Sequence, residues 1–146
     1  MRELGRILVV DDEPEICAVL AEFLESKGLT VATARDGATA LRLAGELAPH
    51  VVLLDVRMPG MGGLAVLREL RRLPDPPGVI LVTAVRDEAV GQEALALGAA
   101  DYIAKPFDLS YLELSVLTKV TAALGGEPGR RPPRPGDLIR GDEPGR

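Results

Sequence analysis

Val51-Val52-Leu53-Leu54-Asp55 is the stretch that decides the fold, because four apolar residues typical of a doubly buried strand lead directly into a carboxylate. In open parallel sheets, ligand-binding and catalytic groups gather at the carboxyl ends of the strands. Three other apolar runs, residues 7–10, 79–82 and 102–104, end in the same manner. They lead into Asp11 and Asp12, into Thr83, and into Lys105 followed by Pro106. Together the four strand ends are expected to bring three acids, a hydroxyl and an amine to one edge of a sheet.

The rest of the chain repeats a strand-then-helix pattern around this stretch. A further β-branched run spans residues 30–34, and apolar residues recur at helical spacing over about residues 13–27, 37–47, 63–73, 87–97 and 109–124. Right-handed crossovers between parallel strands place helices on both faces of the sheet. The predicted fold class is therefore α/β, a doubly wound five-stranded parallel sheet with five helices.

Composition and charge exclude several classes of protein. A chain of 146 residues with a formal charge of −5 lacks the basic surface that general affinity for nucleic acid or an anionic membrane requires. Cys17 is the only cysteine, so no internal disulfide is possible and a reducing compartment is expected. The N-terminal residues resemble neither a signal peptide nor a membrane span. We expect a cytoplasmic protein that makes no direct contact with a membrane.

The C-terminal 22 residues differ in composition from the rest. Glycine, proline and arginine dominate residues 125–146, and five arginines are set against four acidic residues. This composition predicts a flexible tail rather than a second domain. The expected organisation is one folded domain over residues 4–124 and a Gly/Pro/Arg-rich tail over residues 125–146.

The residues at the strand ends suit phosphoryl transfer. A carboxylate such as Asp55 can attack phosphorus, but two negatively charged groups must first be brought together. Magnesium prefers oxygen ligands and is commonly held by one or two carboxylates with phosphate oxygens, which Asp11, Asp12 and Asp55 can provide. Lys105 can place a positive charge on a phosphoryl oxygen. The pattern predicts a phosphate and a divalent metal meeting at Asp55.

These residues closely resemble the receiver domain of two-component response regulators, the chemotaxis-Y-like family. The resemblance covers about residues 4–124 and implies a flavodoxin-like sheet with strand order 2-1-3-4-5. Four motifs carry it, in matching order and spacing: VVDDEP (residues 9–14), LLDVRMPGMGG (53–63), VTA (82–84) and GAADYIAKPF (98–107).

The resemblance implies a signalling role for Asp55. It would accept a phosphoryl group from a sensor histidine kinase or a histidine phosphotransfer protein. Asp11, Asp12, Asp55 and the backbone carbonyl of Arg57 would hold Mg²⁺. The chain would catalyse only its own phosphorylation and dephosphorylation at Asp55, and is not otherwise expected to be an enzyme.

The resemblance also implies a switch. Lys105 and Thr83 would bind the phosphoryl group, and Tyr102 would turn inward when Thr83 is drawn toward it. The peptide between Lys105 and Pro106 is expected to be cis. Phosphorylation would then remodel the face formed by the fourth helix, fifth strand and fifth helix, where a downstream protein target would bind.

Taken singly, these residues have ordinary structural explanations. Acids after a strand often cap helices, Lys105-Pro106 alone is an ordinary surface turn, and Tyr102 alone is a half-buried sheet aromatic. Only their joint pattern favours the signalling role. An alternative is a phosphatase of the haloacid dehalogenase type, which also uses an Asp nucleophile and Mg²⁺. That chemistry needs an acid two residues after the nucleophile, where this chain has Arg57.

A second alternative is the N-terminal part of a larger transcriptional regulator. No helix-turn-helix pattern follows Leu124, so from these residues we expect no direct contact with nucleic acid. Leu114-Ser115 stands where the commonest transcription-factor receivers have Ala-Arg, which removes a charge from their ion-paired dimer interface. We expect a monomer or a phosphorylation-dependent dimer. We do not expect such a dimer to use the ion-paired interface of the transcription-factor receivers.

Overall fold

The computed structural model describes residues 4–84 and 88–124, with the side chains of Thr83 and Glu88 left out. The predicted tail, residues 125–146, lies outside the described residues. Five strands are present: β1 (Arg6–Val10), β2 (Thr30–Ala34), β3 (Val51–Leu54), β4 (Gly78–Thr83) and β5 (Asp101–Ala104). They alternate with five helices: α1 (Pro14–Glu25), α2 (Gly37–Leu47), α3 (Gly63–Leu70), α4 (Glu88–Ala96) and α5 (Leu109–Leu124).

The strands form one parallel sheet in the order β2-β1-β3-β4-β5. The register pairs Val10 with Leu54, and Leu54 with Leu81, so these strands reach the same edge together. The predicted fold class and strand order are confirmed. Because β1 and β3 are neighbours at the centre of the sheet, the acids that follow them lie side by side.

Helices cover both faces of the sheet. On one face α1 and α5 enclose an apolar cluster that includes Leu20, Leu24 and Val116. On the other face α2, α3 and α4 enclose a second cluster that includes Val66 and Ala94. Strand β3 contributes alternate residues to both clusters, so its four residues are all buried. Both faces of β3 are thus covered, as its continuous apolar sequence predicts.

Three helices differ from the predicted bounds. Helix α3 ends at Leu70, and the chain continues in turns because Pro74 disfavours helical geometry at the residue before it. Helix α1 ends at Glu25, and Gly28 with φ 92° completes the reversal after it. Helix α4 ends at Ala96, one residue before the predicted end at residue 97, and its predicted first residue, residue 87, lies outside the described part of the chain.

No helix within residues 4–84 and 88–124 has both the length and the apolar character needed to cross a bilayer.

Candidate functional site

Three acidic residues meet at the carboxyl edge of the central strands. Asp11 follows β1 and Asp55 follows β3, and the amide of Asp55 donates to the carbonyl of Val10 at 3.0 Å. Asp11 is 3% exposed and Asp55 6%, while Asp12 is half-buried. One carboxylate oxygen of each residue lies within 4.8 Å of the others. The sheet therefore concentrates negative charge in a space with little access to water.

Lys105, directly after β5, provides a cation at this site. Its Nζ donates to Asp11 Oδ2 at 2.8 Å and lies 3.6 Å from Asp55 Oδ2 and 3.5 Å from Glu13 Oε1. The Lys105-Pro106 peptide is cis. The side chain of Lys105 is 14% exposed, so its ammonium group is partly desolvated and close to several acids. The shorter contact is to Asp11, which leaves Asp55 more loosely held by the cation.

Backbone amides hold one oxygen of each buried carboxylate. The amide of Glu13 donates to Asp11 Oδ1 at 2.9 Å, and the amide of Arg57 donates to Asp55 Oδ1 at 3.2 Å. The second oxygen of each group, Oδ2, points toward Lys105. The loop after β3 thus orients Asp55 with one oxygen anchored and the other directed into the cluster.

Burial and neighbouring charge shift two pKa values at this site. Burial, followed by the negative charge of Asp11, raises the pKa of Asp55 above the usual range of an aspartate, against the lowering effect of Lys105. Burial alone would lower the pKa of Lys105. The hydrogen bond to Asp11 and the charges of Asp55, Asp11 and Glu13 outweigh that effect and raise the pKa of Lys105. Lys105 therefore stays charged, while an ionised Asp55 is costly.

Replacement of Asp55 by Asn is expected to stabilise the fold at neutral pH when a chelator removes divalent cations. A carboxyl whose pKa is raised by folding contributes its full stability below the unfolded pKa, and that contribution is lost as the pH rises through the folded pKa. The advantage of Asp55→Asn over wild type should therefore be largest near neutral pH and disappear toward about pH 4. Urea unfolding of both proteins across this pH range measures it.

The control for this prediction is Asp75→Asn, which removes the same charge from an exposed loop. It should leave the urea midpoint close to the wild-type value throughout. If Asp55→Asn is less stable than wild type near pH 7 in chelator, the raised pKa of Asp55 is contradicted.

The structure brings together most of the residues that the sequence singled out. Asp11, Asp12, Asp55 and Lys105 form one cluster. Arg57 contributes its amide to Asp55, which the sequence did not suggest. The sequence interpretation also missed Glu13, whose carboxylate reaches Lys105. Its position directly after the two aspartates was the available signal.

The two predicted switch residues lie on neighbouring strands. Thr83 ends β4 and pairs with Ala104 of β5, but its side chain is not among those that the structure describes. Tyr102 pairs with Leu81 and packs, half-buried, against the cluster beneath α3 and α4. Thr83 therefore has the strand position that the prediction requires, and its contact with the site stays a prediction.

The sequence pattern of the response regulator receiver domain matches residues 7–117, most of the chain. The chain belongs to this family. It is a receiver domain of the two-component response regulators, as its motifs predicted.

Curated relatives of this receiver are longer proteins. Regulatory protein AtoC of Escherichia coli (strain K12) is 42% identical over 116 residues, which cover 80% of this chain and 25% of AtoC. The uncharacterized transcriptional regulatory protein YkoG of Bacillus subtilis (strain 168) is 42% identical over 125 residues, which cover 84% of this chain and 52% of YkoG. The chain thus spans about a quarter to a half of the length of these relatives.

Solved receiver domains share the fold over nearly their whole length. A CheY-like receiver domain protein from Methanospirillum hungatei matches with a TM-score of 0.77 and 28% identity, covering 81% of this chain and 94% of that one. The BeF3-activated receiver domain of RstA from Klebsiella pneumoniae matches with a TM-score of 0.74 and 26% identity, covering 80% and 98%. The described residues therefore contain a full receiver fold.

Proposed function

We propose that this receiver takes a phosphoryl group onto Asp55 from a phosphohistidine of a sensor histidine kinase or a histidine phosphotransfer protein. Asp55 Oδ2 would form a bond to phosphorus as the nitrogen–phosphorus bond breaks, and the imidazole would keep the released electron pair. One observation carries this proposal. Asp55 is buried at the strand edge with one oxygen anchored by the Arg57 amide and the other 3.6 Å from the Lys105 ammonium.

The donor set fits Mg²⁺. Asp11, Asp12 and Asp55 offer carboxylate oxygens within 4.8 Å of one another, the hard oxygen ligands that this ion prefers. Their mutual repulsion, which helps to raise the pKa of Asp55, is the cost that a divalent cation would remove. We propose that these three residues and the carbonyl of Arg57 hold the ion. When bound, it would neutralise charge between Asp55 and the incoming phosphoryl group.

Lys105 and Thr83 are proposed to hold the transferred group. Lys105 already lies between Asp11 and Asp55, so a phosphoryl group on Asp55 Oδ2 would place new anionic oxygens close to its ammonium. Thr83 lies at the end of β4, next to β3, and we propose that its hydroxyl bonds another phosphoryl oxygen. We propose that Thr83 and Tyr102 then shift together and change the face formed by α4, β5 and α5.

The partners follow from this switch. We propose a histidine-containing donor on the input side and a downstream protein on the output side, in the cytoplasm. YkoG is a transcriptional regulatory protein, which supports the alternative that this receiver is joined to an output domain. Contact with nucleic acid would then belong to that domain. We also propose that the receiver ends at residue 124 and that the tail begins at residue 125.

A phosphatase of the haloacid dehalogenase type is the weaker candidate. Arg57 lies two residues after Asp55, where that chemistry needs a carboxylic acid, and it is exposed. Steady turnover of a small phosphoester such as p-nitrophenyl phosphate would favour the phosphatase. Labelling of Asp55 without turnover would favour the receiver.

Replacement of Asp12 by Asn is expected to weaken Mg²⁺ binding by about tenfold, because affinity for this ion depends on the number of charged oxygen ligands. Asp12 is half-buried and takes part in the acidic cluster. Asp75→Asn removes the same charge from an exposed position and serves as the control. Isothermal titration calorimetry with MgCl₂ measures both. Equal affinities for the two variants would remove Asp12 from the proposed ligand set.

A further inference from the structure

Helix α4 presents a glycine to the ring of Tyr102. Gly91 is buried in the middle of α4, and a Cβ placed on it would lie 3.3, 3.4 and 3.6 Å from three atoms of the Tyr102 ring. These distances show that the ring packs on the bare backbone of the helix. A side chain at this position would force the ring or the helix to move by a few tenths of an ångström.

The backbone of Tyr102 is fixed by strand pairing and by a hydrogen bond to Asp101. Strand β5 pairs with β4 through Leu81, and the amide of Tyr102 donates to Asp101 Oδ1 at 2.8 Å. Asp101 Oδ2 in turn accepts from Ser115 Oγ at 2.7 Å and from the Tyr111 hydroxyl at 3.2 Å, both on α5. Because β4 and α5 fix the strand, a change at Tyr102 falls on its side chain and on the opposing helix.

The composition of helix α4 suits a change in the position of the Tyr102 ring. Glycine is the least favourable residue for a helix interior apart from proline. The buried residues among the described side chains of α4 are Gly91 and Ala94, the two smallest kinds. At Gly91, the helix therefore meets the Tyr102 ring with no side chain of its own, so at this point the ring can change position without displacing one.

We propose that Gly91 is a positioning residue for Tyr102: its missing side chain gives the ring the space in which it changes position when Asp55 is phosphorylated. This inference rests on the proposed function, in which Tyr102 is a switch residue. It assigns the coupling between the phosphoryl site and α4 to a specific contact. A Cβ at Gly91 would change the relative energies of the two ring positions, and with them the affinity of the site for a phosphoryl group.

A double-mutant cycle tests this proposal. Beryllofluoride with Mg²⁺ serves as the phosphoryl analogue, and its binding midpoint is measured for wild type, Gly91→Ala, Tyr102→Ala and the double variant. Isothermal titration calorimetry gives this midpoint for all four proteins, because it does not depend on the Tyr102 ring that two of them lack. We expect Gly91→Ala to change the midpoint by about threefold or more, and the change to vanish in the Tyr102→Ala background.

Gly45→Ala is the matched control. Gly45 also lies inside a helix, α2, but a Cβ there meets nothing within 4 Å. This variant should raise the urea midpoint, as expected for an alanine in a helix, and leave the beryllofluoride midpoint unchanged. It separates the effect of helix stabilisation from the effect of contact with Tyr102.

Each result bears on the proposal. A Gly91→Ala effect on beryllofluoride binding that depends on Tyr102 supports it. An effect on urea stability alone, or an equal effect with and without the Tyr102 ring, overturns it and makes Gly91 a packing residue only. If wild type itself binds no beryllofluoride, the phosphoacceptor function fails. Binding by wild type without coupling refutes the role of Gly91 alone.

Discussion

Acetyl phosphate with Mg²⁺ is expected to add one phosphoryl group to the wild-type chain and none to Asp55→Asn. The Asn side chain keeps the size of the carboxylate but cannot act as the nucleophile that forms an acyl phosphate. Asp55 Oδ2 would bond to phosphorus while acetate leaves. Intact-mass measurement after a short incubation detects the added group, and a chelator should prevent its addition to wild type.

Two variants sharpen this experiment. Asp75→Asn removes a charge far from the site in sequence and is expected to label as wild type does. Lys105→Ala keeps Asp55 but removes the ammonium that lies 3.6 Å from it, so labelling should slow strongly. Equal labelling of wild type and Asp55→Asn would show that another residue accepts the phosphoryl group.

Replacement of Gly63 by Ala is expected to destabilise the fold by about 3 kcal/mol or more and to slow labelling of Asp55 by roughly 100-fold. A Cβ on Gly63 would overlap the carbonyl oxygen of Asp55 and lie 2.6 Å from Val56 Cα. Both are backbone atoms, so no side chain can rotate away. The loop that carries Asp55 must open, which also disturbs the hydrogen bond from the Gly63 amide to the Val56 carbonyl at 2.8 Å.

The neighbouring glycine provides the control for this prediction. A Cβ on Gly62 meets its nearest atom, the Val56 carbonyl oxygen, at an ordinary 3.7 Å, and the backbone there is extended with φ −74°. Gly62→Ala should therefore leave both stability and labelling close to wild type. Urea unfolding gives the stability of each variant. If Gly63→Ala is as stable and as readily labelled as Gly62→Ala, the close approach of the two loop ends is contradicted.

The sequence predicted the elements because their signals are local. Four consecutive apolar residues that end at Asp55 are sufficient to predict strand β3. The predicted bounds of β2, β3 and α2 agree with the structure. Helix α1 shows the limit of local patterns. Val19 belongs to the apolar residues that recur at helical spacing in this segment, but it is 51% exposed, whereas Cys17 is buried. The spacing shows that an apolar residue can lie on the buried side of the helix, but only the contact with the sheet decides which ones do.

In the candidate site, too, the sequence predicted some features and the tertiary structure decided others. The sequence placed Asp11, Asp12, Asp55 and Lys105 at one edge because parallel strands end together. It did not determine that Lys105 bonds most closely to Asp11, a residue 94 positions away. The 2.8 Å distance between Lys105 Nζ and Asp11 Oδ2 depends on how β5 lies relative to β1 across the whole sheet.

The glycines mark most clearly what the tertiary structure decided. Gly62, Gly63 and Gly91 are the same residue in the sequence, yet an added Cβ would make an ordinary contact at the first, overlap the backbone of Asp55 at the second and press on the ring of Tyr102 at the third. By itself, Val51-Val52-Leu53-Leu54-Asp55 and its companion motifs determined the strand order, the family and the acidic cluster. The distances around Asp55 came only with the fold, because packing brings together atoms whose separation no local pattern encodes.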